Sequence, residues 1–91
     1  MHFRGLDLNL LVALDALLTE RNVTRAAERL CISQPGMSAA LQKLRDHFSD
    51  PILERVGRRF ELTARAREMT PTIKELLSTI DTLSKATPEF N

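Results

Sequence analysis

One stretch decides the fold: residues 24–48, TRAAERLCISQPGMSAALQKLRDHF. Thr24 can cap a short helix over residues 25–30, whose alanines permit close packing against a neighbour. Residues 31–32 leave room only for a tight connection between two helices. The next helix, over residues 33–48, opens with a serine hydroxyl as N-cap and a proline in its first turn, where the missing N–H costs nothing. This pattern predicts a helix-turn-helix.

The second helix of the pair has an apolar side and a polar side. Its apolar residues recur at 4-3-4 spacing and are expected in the core: Met37, Leu41, Leu44 and Phe48. In a helix-turn-helix, the N-terminal turn of the second helix meets base edges in the major groove. Ser33, Gln34 and Ser38 are the polar candidates there; Gln34 can pair with adenine, and Ala39 can offer a methyl to thymine. Alternatively, Ser33 only caps the helix and Gln34 is merely solvated.

The flanking segments predict one further helix and a β-hairpin. Asp7 can cap a helix over residues 8–20, whose leucines recur at i, i+3, i+4 and i+7. Residues 52–56 and 59–62 are two short runs about a glycine-containing turn, which is typical of a small hairpin, or wing. Three arginines stand at or near its tip: Arg55, Arg58 and Arg59. They could lie on phosphates or enter the minor groove, or they could simply protect the strand edges from aggregation.

A last helix, capped by Thr63, carries an apolar seam at alternating spacings of three and four residues. The seam consists of Met69, Ile73, Leu76, Ile80 and Leu83. It could pack on the first helix, but that helix has six leucines of its own, and a small core has little room for another full face. An exposed apolar seam needs a partner, so the pattern favours a dimer. Local rules leave open whether the helix starts afresh at Thr70-Pro71 or runs through with a kink.

Composition indicates a single domain and lacks the residues for catalysis. A chain of 91 residues makes one domain at most. The lone Cys31 cannot form an internal disulfide, which fits the cytoplasm. The longest apolar run, residues 10–14, is too short to cross a membrane, and there is no secretion signal. His2 and His47 are isolated and no phosphate loop or nucleophile elbow occurs, so no enzyme, cofactor or metal site is expected.

The distribution of charge says more than the net value of +1. Residues 21–67 hold ten basic against five acidic residues, whereas both ends of the chain are mildly acidic. A basic middle suggests one anion-facing surface. Two functions of different classes are consistent with it: sequence-specific binding of duplex DNA, or a helical protein-interaction module whose basic face is incidental.

Taken together, these residues resemble the LysR-type transcriptional regulators. The resemblance rests on LNLL at 8–11, NVTRAAERL at 22–30, SQP at 33–35, LQKLR at 41–45, PIL at 51–53, Arg55, Gly57-Arg58 and Leu62-Thr63. It covers essentially residues 3–85, and residues 3–22 look most like the nodulation-regulator and aromatic-catabolism branch. It implies a mainly α protein: a winged helix-turn-helix of three helices and a two-stranded wing, followed by a long linker helix. That helix is expected to pair antiparallel in a homodimer bound to an interrupted palindrome.

The resemblance also implies roles for individual residues. It matches Gln34, Pro35 and Ser38 to contacts of the recognition helix and Thr24 to a phosphate contact at the start of the second helix. It matches Arg55 and Arg58 to the wing. The full predicted DNA-binding set is Thr24, Arg25, Ser33, Gln34, Pro35, Ser38, Ala39, Gln42, Lys43, Arg55, Arg58 and Arg59.

The sequence departs from the family pattern in three places. Ala39 stands where many members carry arginine, which removes a possible guanine contact. Gly36 stands where alanine is usual, which lowers helix propensity but lets the backbone approach DNA. Residues 62–66, LTARA, replace the usual LTPAG. Because the family tolerates proline within its linker helix, the resemblance favours one continuous helix through Pro71.

The domain organisation expected from the resemblance has three parts. A DNA-binding domain spans residues 1–62, a linker and dimerisation helix spans 63–86, and a tail, 87–91, leads towards an effector domain that this chain lacks. A complete regulator of this kind would be much longer, would bind a small-molecule effector in a periplasmic-binding-protein-like domain, and would assemble as a tetramer.

Overall fold

The structure, a computed structural model, describes residues 5–86. Its elements follow in the order α1 (Leu8–Glu20), α2 (Val23–Leu30), α3 (Gln34–Phe48), β1 (Leu53–Val56), β2 (Arg59–Leu62) and α4 (Ala64–Ala86). The two strands form an antiparallel hairpin. The predicted architecture of three helices, a two-stranded wing and a long last helix is confirmed. The predicted tail, residues 87–91, lies outside the described residues.

α1 lies at the centre of the core. Asp7 caps it as predicted, because its Oδ1 accepts a hydrogen bond from the N–H of Leu10 at 2.8 Å. The buried residues of α1 are Leu10, Ala13, Leu14, Ala16, Leu17 and Leu18. The helix ends at Arg21, whose φ of 56° is left-handed and lets its N–H bond the carbonyl of Leu17. α1 therefore has a defined start and end, and it contributes six buried residues to the core against which the other helices pack.

α2 begins earlier than predicted, and Thr24 is not its cap. The side-chain oxygen of Asn22 accepts a hydrogen bond from the N–H of Arg25 at 2.9 Å, and the helix spans Val23–Leu30. Asparagine is at least as good an N-cap as threonine, and its position three residues before Arg25 closes the cap. Thr24 consequently lies within the first turn of α2, where it is exposed.

A tight turn joins α2 to α3. Cys31 takes a left-handed φ of 57°, and the N–H groups of Cys31 and Ile32 bond carbonyls in the last turn of α2. Ser33 then caps α3 as predicted, its Oγ accepting a hydrogen bond from the N–H of Gly36 at 3.0 Å. The helix-turn-helix is thus held by caps on both sides of the turn.

The wing joins the helical body at its base. Leu53 and Leu62 are paired across the hairpin and both are buried. β1 starts one residue later than predicted because Ile52 is part of a turn: its φ is 67°, and the N–H of Leu53 bonds the carbonyl of Pro51. This backbone is strained for a β-branched residue. The Ile52 side chain is fully buried, so core packing holds the turn in place.

Asp50 and Thr63 connect the two ends of the wing. Asp50 Oδ2 accepts hydrogen bonds from the N–H of Ile52 at 2.9 Å and from the hydroxyl of Thr63 at 2.6 Å. The N–H of Thr63 donates to the carbonyl of Ile52 at 3.0 Å. Thr63 Oγ1 also accepts from the N–H of Ala66 at 3.1 Å, which caps α4 as predicted. One threonine therefore closes the wing and starts the last helix.

α4 is one continuous helix through Pro71, as the resemblance implies, and no fresh start occurs there. Pro71 is on the exposed side of the helix, where water can bond the carbonyl that its missing N–H leaves unpaired. The hydroxyl of Thr70 donates to the carbonyl of Ala66 at 2.8 Å. At 1.5 Å per residue α4 is about 35 Å long, and the molecule measures 55 × 28 × 21 Å.

The seam on α4 is not uniformly open, and this corrects the prediction for Ile73. Ile73 is 7% exposed within the single chain, and the half-buried Met69 packs beside it. The reason is that α1 does have a free apolar side: Leu11 shares a groove with both residues. Further along α4, Leu76 and Leu83 are 40% and 68% exposed. The first half of the seam therefore belongs to the core, and the second half is open to solvent.

Candidate nucleic-acid interface

The start of α3 faces solvent. Ser33, Gln34 and Pro35 are all exposed, and the Ser33 hydroxyl satisfies one of the N–H groups of the first turn. The remaining N–H groups and the helix dipole favour a negative group at this end. A Cβ on Gly36 would stand 3.0 Å from Ser33 Oγ, so glycine leaves the cap undisturbed.

One side of α3, which we call the outer face, carries the predicted contact residues. It consists of Gln34, Pro35, Ser38, Ala39, Gln42 and Lys43, all of them exposed. The opposite side holds the buried Met37, Leu41 and Leu44. Gln34 and Gln42 are separated by about 12 Å along the axis at 1.5 Å per residue, and the major groove is about 12 Å wide. The outer face therefore has the length and the hydrogen-bonding groups to contact base edges across one groove.

The first turn of α2 is a second exposed polar site. Thr24 and Arg25 both face solvent. The Arg25 guanidinium has no ion pair within residues 5–86. Ala26 and Ala27, which follow, are buried at 0% and 3% exposure, so α2 is anchored immediately behind these two side chains. This arrangement leaves a hydroxyl and a cation available on a fixed helix end.

The tip of the wing presents an exposed arginine. Gly57 has a φ of 64° while Arg58 stays at negative φ, the combination expected in a two-residue type II′ hairpin turn. Glycine is needed there because other residues rarely adopt this φ. Arg58 is exposed, and no acidic partner for it occurs in the described part of the chain. Its charge is therefore available to an anion outside the protein.

The other two wing arginines have neighbours. The guanidinium of Arg55 lies 5.7 Å from the ring centroid of Phe60, its cross-strand partner, and Nε donates to the Gly57 carbonyl at 3.4 Å. Arg59 lies 3.7 Å from a carboxylate oxygen of Glu61. These contacts are on the surface and weakly stabilising. They orient the two cations without burying them.

Sequence reasoning missed that several arginines of the basic middle bind the protein itself, and Arg45 and Arg65 connect separate elements. Arg45 Nε and Nη2 donate to the carbonyls of Pro51 and Leu53 at 2.8 and 3.2 Å, which ties the wing base to α3. Arg65 Nη1 donates to the carbonyl of Phe48 at 2.8 Å. Counting charges cannot separate these arginines from the free ones. The available signal was the position of Arg45 at the edge of the apolar stripe of α3.

Metal-binding clusters and membrane-spanning helices are both absent from the described part of the chain. Residues 5–86 contain no group of three or more His, Cys, Asp and Glu side chains placed to hold a metal ion. The helices in that range include none that is long and apolar enough to span a bilayer.

The fold and the outer face of α3 define a winged helix-turn-helix of the DNA-binding kind. A family model described as "Bacterial regulatory helix-turn-helix protein, lysR family" matches residues 8–67. The chain therefore belongs to this family of bacterial regulatory helix-turn-helix proteins.

Curated relatives include nodulation regulators. The chain is 54% identical to "Nodulation protein D 1" of Rhizobium leguminosarum bv. phaseoli over 77 residues, which are 85% of this chain and 24% of that protein. It is 52% identical to "Nodulation protein D" of Azorhizobium caulinodans over 80 residues, 88% of this chain and 26% of that protein. The predicted likeness to the nodulation branch is confirmed. The chain spans about a quarter of the length of these relatives.

Solved structures share the fold. The DNA-binding domain of BenM in complex with catB site 1 DNA superposes with a TM-score of 0.82 at 30% identity, covering 91% of this chain and 93% of that one. A probable transcriptional regulator from Pseudomonas aeruginosa gives a TM-score of 0.80 at 39% identity over 87% of this chain and 26% of that one. The predicted fold class is thus confirmed independently of the sequence pattern.

Proposed function

We propose that this chain binds duplex DNA sequence-specifically, with α3 in the major groove and the wing on the backbone or in the minor groove. The outer face of α3 carries the proposal: six exposed side chains behind a capped helix start, none of them used by the core. That BenM's DNA-binding domain has been solved with DNA, in the same fold, supports the assignment.

Within the outer face, the main base contacts belong to the first two turns. Gln34 is the main candidate, because its amide can donate to and accept from adenine, and Ala39 can meet a thymine methyl. Ser33, Pro35 and Ser38 surround them at the same end of the helix, and Gln42 and Lys43 extend the contact by one turn. We expect a half-site that favours A·T pairs.

Thr24 and the cations outside α3 have a positioning role in this proposal. Thr24 and Arg25 contact phosphates from the start of α2, and Arg58 does so from the tip of the wing with Arg55 and Arg59 beside it. Contacts of this kind fix register and raise affinity for every sequence, but they carry little sequence information.

We infer further that the protein acts as a homodimer through α4. The open half of the seam consists of the exposed Leu76 and Leu83 with the half-buried Ile80 between them. Leu76 also lines an apolar groove of about 580 Å³ between α1 and α4. A second copy would cover this surface. Because a twofold dimer presents two identical recognition helices, the operator would be an interrupted palindrome.

The wider assembly follows from the family. We propose that residues 1–62 are the DNA-binding domain, that residues 63–86 are the linker and dimerisation helix, and that 87–91 lead to an effector domain in a longer protein. The relatives' greater length supports this division. The full regulator would bind a small molecule there, assemble as a tetramer and act in the cytoplasm.

A salt titration tests the proposal against a protein-interaction role. Fluorescence anisotropy would follow binding to an interrupted palindrome and to a scrambled duplex of equal length and composition. We expect affinity for both to fall steeply with salt, while the palindrome keeps its advantage. Absence of binding at low salt would overturn the proposal and favour the interaction module.

A further inference from the structure

A hydrogen bond on the outer face of α3 fixes the orientation of one amide. Gln42 Nε2 donates to Asp46 Oδ1 at 3.0 Å, and both side chains are exposed. The two residues lie one helical turn apart, on the line that continues from Gln34 and Ser38. The bond therefore lies on the same exposed stripe as the proposed base contacts.

The chemistry of the pair decides which end of the amide faces Asp46. An ionised carboxylate is an acceptor only, so the group that meets it must be the NH₂ of Gln42. The carbonyl oxygen is then directed away from Asp46 and remains free to accept. Gln34, in contrast, has no side-chain hydrogen bond within residues 5–86 that fixes its amide, and can present donor and acceptor together.

At this position the negative charge of Asp46 is expected to lower the affinity for DNA. Gln34 to Gln42 spans about the width of the groove, and Asp46 lies about 6 Å further along the axis at 1.5 Å per residue. In the proposed docking, that distance would bring its carboxylate towards the phosphates that flank the groove, where a negative charge weakens binding to every sequence. A carboxylate on this side of the helix is consistent with a role in selecting bases.

We propose that Asp46 is a specificity-determining positioning residue: it holds Gln42 so that the amide carbonyl selects an exocyclic amino group on one base. In the major groove, adenine N6 and cytosine N4 offer that donor, whereas guanine and thymine present oxygen acceptors at the corresponding place. Gln42 thus prefers amino over keto bases at one position of the half-site. This inference rests on the proposed function, with α3 in the major groove.

The test measures base preference at every half-site position for the full chain. Competition binding on a randomised half-site library at fixed salt would compare wild type, Asp46→Ala, Asp46→Glu, Gln42→Ala and the double variant Gln42→Ala/Asp46→Ala. Glu75→Ala is the charge control, since it removes an exposed carboxylate from α4. Circular dichroism would check that each variant keeps its helix content.

We expect wild type to prefer A or C over G or T at one position by roughly fivefold, the size of one hydrogen bond of about 1 kcal/mol. Asp46→Ala should reduce that ratio to about twofold or less and tighten binding to all duplexes, and Asp46→Glu should keep the preference. In the Gln42→Ala background, removing Asp46 should change only overall affinity. Glu75→Ala should leave the base profile unchanged.

Three results would overturn the inference while leaving the proposed function intact: an unchanged profile in Asp46→Ala, an equal change of profile in the Gln42→Ala background, or an Asp46→Glu variant that behaves like Asp46→Ala. A wild-type chain that binds all duplexes equally would remove the proposed function itself, and this inference with it.

Discussion

The base and the tip of the wing use the same residue types for opposite purposes. At the base, Leu53 is buried and Arg45 donates two hydrogen bonds to carbonyls of the segment that enters the wing. At the tip, Val56 is 50% exposed and Arg58 has no acidic partner in the described residues. An arginine therefore stabilises the fold where backbone carbonyls surround it, and remains available to a ligand where a tight turn projects it into solvent.

α4 repeats this division along its length. Its first half packs on the core through Ile73 and is tied to α1 by an ion pair between Lys74 and Asp15 at 2.6 Å. Its second half exposes Leu83, and Lys85 there pairs with Asp81 on the same helix. Side chains that hold the fold and side chains left for partners are thus separated within single elements.

The largest expected effect distinguishes the two halves of α4. Ile73→Glu should unfold the chain, because it places a charge in the core. Ile80→Glu should leave a folded monomer, because it places the charge in the proposed dimer interface, where burial costs several kcal/mol unless the group reaches water. Analytical ultracentrifugation with circular dichroism measures both. A folded Ile80→Glu variant that stays dimeric at micromolar concentration would show that α4 is not the dimer interface.

The buried base of the wing should be far more sensitive than its tip. Leu53→Ala removes a fully packed side chain and should lower the free energy of unfolding by about 2–4 kcal/mol. Val56→Ala, in the same strand, should lower it by less than about 1 kcal/mol because the side chain is already half exposed. Urea denaturation provides the comparison. If the two variants lowered the free energy of unfolding equally, the wing would not be anchored through its base.

Gln34 tests whether a free polar side chain recognises bases. Gln34→Ala should weaken binding to the specific site by about 1–3 kcal/mol, change binding to scrambled DNA little, and leave the salt dependence unchanged. Lys43→Ala is the control for loss of a positive charge on the same face, and it should weaken binding to both duplexes and flatten the salt dependence. If Gln34→Ala weakens binding to both duplexes equally, then Gln34 contacts only phosphate.

Two arginines allow a direct comparison of the wing base with the wing tip. Arg45→Ala should lower the free energy of unfolding by about 1–2 kcal/mol, since two carbonyls lose a charged donor. Arg58→Ala should leave stability within about 0.5 kcal/mol. It should weaken binding to all duplexes and reduce the log–log salt slope by about one per monomer. If Arg58→Ala destabilises the fold as Arg45→Ala does, the tip is structural too.

The sequence predicted the elements because their starts and ends carry local signals. Asp7, Ser33 and Thr63 are caps whose partner lies three residues on, and the wing is marked by Gly57. The positive φ of Ile52 had no such signal, because isoleucine disfavours that conformation and only packing around a buried side chain enforces it.

The candidate site could be predicted in composition but not in the use of each side chain. Periodicity places Gln34 and Ser38 away from the core, as the structure confirms. It cannot tell that Arg45 turns to the wing base, or that Ile73 packs on α1 instead of lying on an open seam. Those outcomes depend on which element comes close in space, which no local pattern contains.

The smallest expected effect concerns the first turn of α2, where the cap and the proposed phosphate contact are different residues. Asn22→Ala removes the oxygen that accepts from Arg25 and should lower the free energy of unfolding by about 1 kcal/mol. Thr24→Ala replaces an exposed residue that does not cap the helix, so the free energy of unfolding should hardly change. Affinity for all duplexes should fall by the contribution of one phosphate contact. Thermal unfolding and anisotropy on the same two variants measure the separation. If Thr24→Ala destabilised the helix as much as Asn22→Ala, the hydroxyl would serve α2 itself, and the phosphate contact would fall to Arg25.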